Sequence, residues 1–313
     1  MKKLKNSQPI VELRDVRKIY IMGRNRGAKK ANQAIGKLIK DSCSLYQKIQ
    51  DLSKRQSDKI KKLKKLQERL KQKEKVLERA QSLFSSEKYP QAFKVATGKN
   101  LKPRKVRGVV VHALNGVNLK INRGEFVAIM GPSGSGKSTL LNLIGCLDRP
   151  SHGSVLVDGL NVTEMPRRSL PKVRLNKIGF VFQSFNLIPT LTALENVTLA
   201  LKYKGGHRGG KKRKAIQALK KVGLGNRLNH RPDELSGGQG QRVAIARALI
   251  NQPAIVLADE PTGELDSKTS KDLVKMMRNL NRKLNQTFII VTHDPMITKA
   301  VGRVIKVKDG KVN

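Results

Sequence analysis

Nine consecutive residues, Gly131-Pro132-Ser133-Gly134-Ser135-Gly136-Lys137-Ser138-Thr139, have the spacing G-x-x-x-x-G-K-[ST]. Glycines at 131, 134 and 136 let a short loop turn its backbone N–H groups inward, where they can cradle a phosphate. Lys137 would neutralise β- and γ-phosphate oxygens of a nucleotide, and the Ser138 hydroxyl would ligate Mg²⁺. Ser133, Ser135 and Thr139 complete the candidate phosphate-binding set. Far downstream stand two adjacent carboxylates, Asp259 and Glu260. Asp259 is suited to orienting a Mg²⁺ shell, and Glu260 to polarising an attacking water as general base. An Asp-Glu pair alone is commonplace on protein surfaces. Joined to a phosphate loop, it implies nucleotide hydrolysis.

These groups need elements to hold them. The apolar run Phe126–Met130 enters the phosphate loop, and the helix-like stretch Thr139–Ile144 leaves it, so the helix dipole also faces the anion. Ala254–Ala258 is continuously apolar, as a strand buried on both faces must be, and delivers the carboxylates at its end. Further strand-like runs at Val109–Val111, Ile178–Phe182 and Thr287–Thr292 alternate with helix-length stretches. That alternation predicts a largely parallel sheet covered by helices. Residues 8–22 read as a short strand pair or its beginning.

The chain has 313 residues and a formal net charge of +42. Such a field favours nucleic acid, anionic membrane surfaces or nucleotides without choosing among them. Residues 24–108 hold 26 Lys and Arg against 7 Asp and Glu. Within them a heptad runs through Ile49, Gln56, Leu63, Leu70, Leu77 and Phe84, with Leu52, Lys59, Leu66, Lys73 and Ala80 at the second position. This predicts one amphipathic helix over about residues 45–84, roughly 60 Å long if unbroken. Its apolar stripe asks for a partner: another subunit, the host domain or a lipid surface. The flanks 24–40 and 85–108 read as flexible linkers. No apolar run reaches the roughly 18–20 residues of a membrane span, and the basic start lacks the apolar core of a signal peptide. A role at a membrane would therefore be peripheral. Cys43 and Cys146 form no metal-type cluster and are expected to be reduced thiols.

Leu235-Ser236-Gly237-Gly238-Gln239, followed by Gly240-Gln241-Arg242, resembles the signature of ABC ATPases, and other motifs of that family stand in order around it. Tyr20 resembles the aromatic residue that stacks on adenine, and Gln183 the Q-loop glutamine that senses Mg²⁺ and faces the membrane partner. Glu264-Leu265-Asp266 resembles the D-loop, with Asp266 at a dimer seam; His293 resembles the switch histidine that contacts the γ-phosphate. Taken singly, Tyr20, Gln183 and His293 would pass for a strand aromatic, a solvated loop residue and a strand-end histidine. The resemblance covers about residues 8–23 and 109–313. It implies a P-loop NTPase core with an antiparallel β subdomain and a helical signature subdomain in residues 1–23 and 109–313, and a basic helical insertion at 24–108. It further implies ATP and Mg²⁺ as ligands. Ser236, Gly237, Gly238 and Gln239 would meet the ATP of an opposite subunit, on a helix beginning near Gln241, so that ATP closes a homodimer. Hydrolysis would drive a separate transmembrane permease from the cytoplasmic face of the cell membrane.

Details narrow the resemblance. Asn142–Asp148, Phe185-Asn186-Leu187-Ile188-Pro189 and Ala258–Gly263 are similar to the lipoprotein-releasing and macrolide-exporter group, with the cell-division ATPase a close cousin. Gly240 departs from the family's usual Gln and would loosen the start of the signature helix. Glu264 stands where a small residue is usual. A nucleic-acid- or ribosome-associated ABC ATPase is the competing class raised by the charge. It is disfavoured because the inserted helix precedes the phosphate loop, the chain carries one set of motifs, and aromatics are only 4%. Contact of the insertion with anionic lipid is compatible with the leading reading.

Overall fold

Along the strand Phe126–Met130, successive side chains enter two different cores. Val127 and Ile129 join one apolar cluster with Ile255, Leu257, Ile289 and Val291. Phe126 and Ala128 join another with Val256, Ala258, Phe288 and Ile290. This period-two division is what a strand buried on both faces requires. In a computed structural model the chain is described over residues 9–24, 33–38, 41, 60–85, 89–97, 107–203 and 208–312. These fall into two compact units, residues 1–17 with 113–313, and residues 18–112.

The larger unit is built on a six-stranded sheet. Its strands are β3 (Phe126–Met130), β6 (Ile178–Val181), β7 (Ile255–Asp259), β8 (Thr287–Val291), β9 (Arg303–Lys308) and β10 (Lys311–Val312). The spatial order is β10-β9-β3-β8-β7-β6, with parallel pairing from β9 through β6 and only β10 antiparallel. The segments that follow β3, β8, β7 and β6 therefore emerge side by side at the carboxyl edge of neighbouring strands, where open α/β sheets bind ligands. A second sheet has the order β2-β1-β4-β5, from β1 (Val11–Arg24), β2 (Arg107–Ile121), β4 (His152–Val157) and β5 (Leu160–Asn161). Residues 11–24 thus form one long strand rather than a strand pair; it pairs antiparallel with β4 and bulges between Arg14 and Arg17.

In the smaller unit, α1 (Ile60–Ser85) and α2 (Tyr89–Thr97) are helical, as are residues 33–38. Helix therefore occupies parts of both flanks expected to be linkers. The expected helix over 45–84 is described from Ile60 onward, and its first part lies outside the described residues. The apolar stripe also has cover within the unit. Ala80 and Ala92 are fully buried with Ile19 and Ile35, and Leu77, Leu83, Val95 and Ala96 pack around them. Two alanines at the crossing let the helix backbones approach closely.

Candidate functional site

The phosphate loop connects β3 to α3 (Lys137–Ile144). The helix begins two residues earlier than the apolar pattern suggests, so Lys137, Ser138 and Thr139 form its first turn. Their backbone N–H groups have no intrahelical acceptors. The residue that would cap them, Gly136, has φ 104° and supplies no side-chain hydrogen bond. A Cβ at Gly136 would run into the Ala113 carbonyl, so glycine is required there. A helix start without a side-chain cap, facing solvent at Ser138, suits an anion as its cap. Ser135 is buried, and its Oγ has no hydrogen-bond partner among the described residues. The Lys137 ammonium folds back over the loop, donating to the carbonyls of Gly131 (2.9 Å) and Pro132 (2.8 Å).

Asp259 ends β7, and burial pushes its carboxyl above the ordinary value, with repulsion from Glu260 adding to the rise and attraction to Lys137 opposing it. Two crowded carboxylates, one half-buried beside a lysine, form a donor set suited to a hard divalent cation such as Mg²⁺. Glu260 takes the left-handed conformation (φ 45°), rare for a residue with a side chain. Its N–H donates to Val291 O at 2.9 Å, and its carbonyl accepts from Gly263 N at 3.1 Å. Those bonds hold the turn so that the Glu260 carboxylate meets His293, which follows β8; His293 Nδ1 donates to Glu260 Oε1 at 2.9 Å. Beyond it, Asp294 caps α9 (Pro295–Ala300) and accepts from Thr262 Oγ1 at 2.9 Å, tying the two turns together.

Gln183 follows β6, and its amide lies against the same turn, since a Cβ at Gly263 would come within 3.0 Å of its Nε2. The signature helix α7 (Gly237–Leu249) begins four residues before Gln241, where the sequence placed its start. The reason is a capping box: Ser236 Oγ accepts from Gln239 N, and Gln239 Oε1 accepts from Ser236 N. Gly237 and Gly238 thus lie in the first turn, and Gly237 faces Leu265 and Phe185. Gly240 does not interrupt the helix; it is buried under the Phe185 ring, 3.2 Å from a Cβ built there. Asp266 caps α8 (Ser267–Leu284), accepting from Lys268 N and Thr269 N at 3.0 Å each, and these bonds with Thr269 hold its carboxyl below the usual range. Tyr20 lies in the smaller unit, with Lys18 Nζ 4.9 Å from its ring centroid.

The family model described as ABC transporter matches residues 114–263. The uncharacterised ABC transporter ATP-binding protein MJ0796 of Methanocaldococcus jannaschii is 53% identical over 215 residues, which cover 67% of this chain and 92% of that protein. The chain belongs to the ABC transporter family. It is an ATP-binding subunit of the ABC ATPase class, with the expected P-loop core. The structure of the cassette MJ0796 in a dimeric post-hydrolysis state bound to ADP and Pi matches with a TM-score of 0.60 at 49% identity, covering 68% of this chain and 92% of that one. A macrolide export ATP-binding/permease protein from Marinobacter nauticus is 49% identical over 204 residues, 65% of this chain but 32% of that longer protein. These relatives agree with the macrolide-exporter resemblance, and nothing among them favours the nucleic-acid alternative. In this ABC ATPase, no helix among the described residues is long and apolar enough to cross a membrane.

Two polar residues of the cassette had no side-chain role in the motif reading, although Gln241 stands within the signature segment. Gln241 is fully buried in α7, and Arg247 donates to the carbonyls of Phe185 and Asn186. The available signal was a glutamine in register with the buried apolar face at Ala244, Ile245 and Ala248.

Proposed function

We propose that this subunit binds MgATP at Gly131–Thr139, closes as a homodimer around it, and hydrolyses it to drive a separate transmembrane permease. The observation carrying this reading is the convergence, at the ends of four neighbouring strands, of the phosphate loop, His293, Asp259 with Glu260, and Gln183. Glu260 would take the proton of the attacking water, with His293 orienting its carboxylate and lying within reach of a γ-phosphate. Lys137 would exchange its two loop carbonyls for phosphate oxygens. Ser138, Asp259 and Gln183 would hold Mg²⁺, which when bound neutralises phosphate charge. Ser236, Gly237, Gly238 and Gln239, the cap and first turn of α7, would meet the ATP of the second subunit, with Asp266 at the seam. Tyr20 is proposed to stack on adenine.

A permease would dock from the side of Gln183. Support comes from an open cleft of about 400 Å³ beyond the Q-loop, lined by Phe180, Phe182, Leu199 and the exposed Tyr203. Residues 24–108 would touch anionic lipid through their excess charge. Because Leu77 and Ala80 already have intramolecular cover, this contact would be electrostatic rather than apolar. It is tested by vesicle flotation of the full chain with and without anionic lipid; equal binding to both would remove it. For the whole reading the test is affinity capture from detergent-solubilised membranes with the Glu260→Gln protein and ATP. Recovery of a multi-span protein supports it, and recovery of ribosomes or nucleic acid through a high-salt wash overturns it.

A further inference from the structure

Gln241 is 0% exposed, and both N–H groups of its amide are spent on carbonyls from two separate segments. Its Nε2 donates to Phe182 O at 3.1 Å, one residue before Gln183, and to Pro261 O at 2.8 Å, one residue after Glu260. Its Oε1 is buried without a hydrogen-bond partner among the described residues. A glutamine used only to fill space would not hold one polar atom unsatisfied, since leucine or methionine fills similar volume without that cost. The orientation serves the two donated bonds.

The same helix grips the Q-loop again further along. Phe185 and Asn186 are consecutive left-handed residues, with φ 59° and 49°. Their carbonyls both accept from the Arg247 guanidinium, and the Phe185 ring lies on the bare backbone of Gly240. Arg247 also lines the cleft beyond the Q-loop. Between Gly240 and Arg247, α7 therefore holds Phe182, Phe185 and Asn186, and Gln241 reaches from that hold to the Glu260 turn.

We propose that Gln241 is a positioning residue that locks the Q-loop and the Glu260 turn to the signature helix as one body. A displacement of the Q-loop by a docked partner then reaches the catalytic carboxylate through the buried Gln241 amide as well as through the contact of Gln183 with Gly263. Gly240 adjoins the same device, because a side chain there would press on the Phe185 ring, 3.2 Å from a Cβ at that position, and require it to shift by a few tenths of an ångström. The inference rests on the assignment of Glu260 and Gln183 to hydrolysis.

The experiment compares steady-state ATP hydrolysis, ATP binding and thermal stability of the parent, Gln241→Leu and Glu260→Gln. Loss of the bridge should lower kcat about 10- to 100-fold with KM for ATP little changed, because misplacement of a catalytic group by about 1 Å has that effect. It should also raise the Mg²⁺ concentration giving half-maximal rate, since Gln183 loses its anchor. A purely structural residue would leave the Mg²⁺ midpoint where it was. Parent-like kcat and Mg²⁺ midpoint overturn the proposal. So does a parallel fall in ATP affinity, melting temperature and kcat. If Gln241→Leu does not fold, Gln241→Met, which keeps the unbranched chain, carries the same comparison. A fully active Glu260→Gln would instead overturn the assignment of the base, separating that failure from this one.

Discussion

His293 Nδ1 and Glu260 Oε1 are 2.9 Å apart, although 33 residues separate them and they follow neighbouring strands. The exposures differ sharply: the histidine side chain is 81% exposed and the glutamate 19%. An exposed imidazole normally gains little by holding one rotamer. Here the partner is fixed by a left-handed backbone that its own hydrogen bonds hold in place, so the carboxylate presents a defined acceptor. Such strain costs on the order of 1–3 kcal/mol and concentrates at functional turns.

From this pair, Glu260→Gln should keep ATP binding, reduce turnover by at least about 100-fold and accumulate an ATP-bound dimer. His293→Ala should keep binding and lower turnover less, because it removes the orienting partner and spares the base. Hydrolysis assays with size-exclusion chromatography in ATP check both. Parent-like turnover in Glu260→Gln would remove the glutamate from the chemistry.

Lys137→Ala acts at an earlier step. The ammonium bridges Gly131 O and Pro132 O, so its loss both unties the loop and removes the cation facing the phosphates. Hydrogen bonds to charged groups contribute about 1.5–3 kcal/mol, so ATP affinity should fall roughly 10- to 100-fold. Titration of a fluorescent ATP analogue gives the answer. Unchanged affinity with reduced turnover would place the lysine in catalysis alone.

How far the sequence reached depended on whether a feature is local. The phosphate loop, the strand ending at Asp259 and the strand before His293 each announce themselves in five to nine consecutive residues, because apolar runs and glycine spacing are properties of short segments. The meeting of His293 with Glu260 follows from β7 and β8 being neighbours, which parallel register decides and no short window contains. The helix start at Gly237 was hidden by two glycines of low helix propensity; the Ser236–Gln239 capping box overrides them. Cover for the apolar stripe around Ala80 was missed for a similar reason. The covering helix Tyr89–Thr97 is short, and Pro90 near its start reads as a breaker unless it stands in a first turn.

Asp259 gives a prediction in pH. Its carboxyl is raised above the ordinary value of 3.8, chiefly by burial, then by Glu260. A raised folded value contributes stability that is complete below the unfolded value and is lost as pH rises through the folded one. The ionised Asp259 therefore costs stability at neutral pH in the absence of a cation. Asp259→Asn should melt higher than the parent at pH 7 without nucleotide, and the difference should vanish as pH falls below about 4. The same variant should hydrolyse ATP poorly, as a site that trades stability for function would. Thermal melts across pH decide it; a variant less stable at pH 7 would show that the carboxylate is held by compensating contacts.

Cys146 gives the opposite kind of prediction, one of inertness. The thiol is buried, and burial pushes it up to about 11 against the weaker pull of Arg174 and Arg149. At pH 8 only about a thousandth of such a group is thiolate, the form that reacts. Cys43 lies outside the described residues, so the clean measurement uses Cys43→Ser, which leaves Cys146 as the sole thiol. The folded variant should resist a maleimide at pH 8 for hours and become labelled once denaturant is added. Labelling at the same rate in both states would mean that the turn around Cys146, itself in a left-handed conformation after α3, opens readily in the native protein.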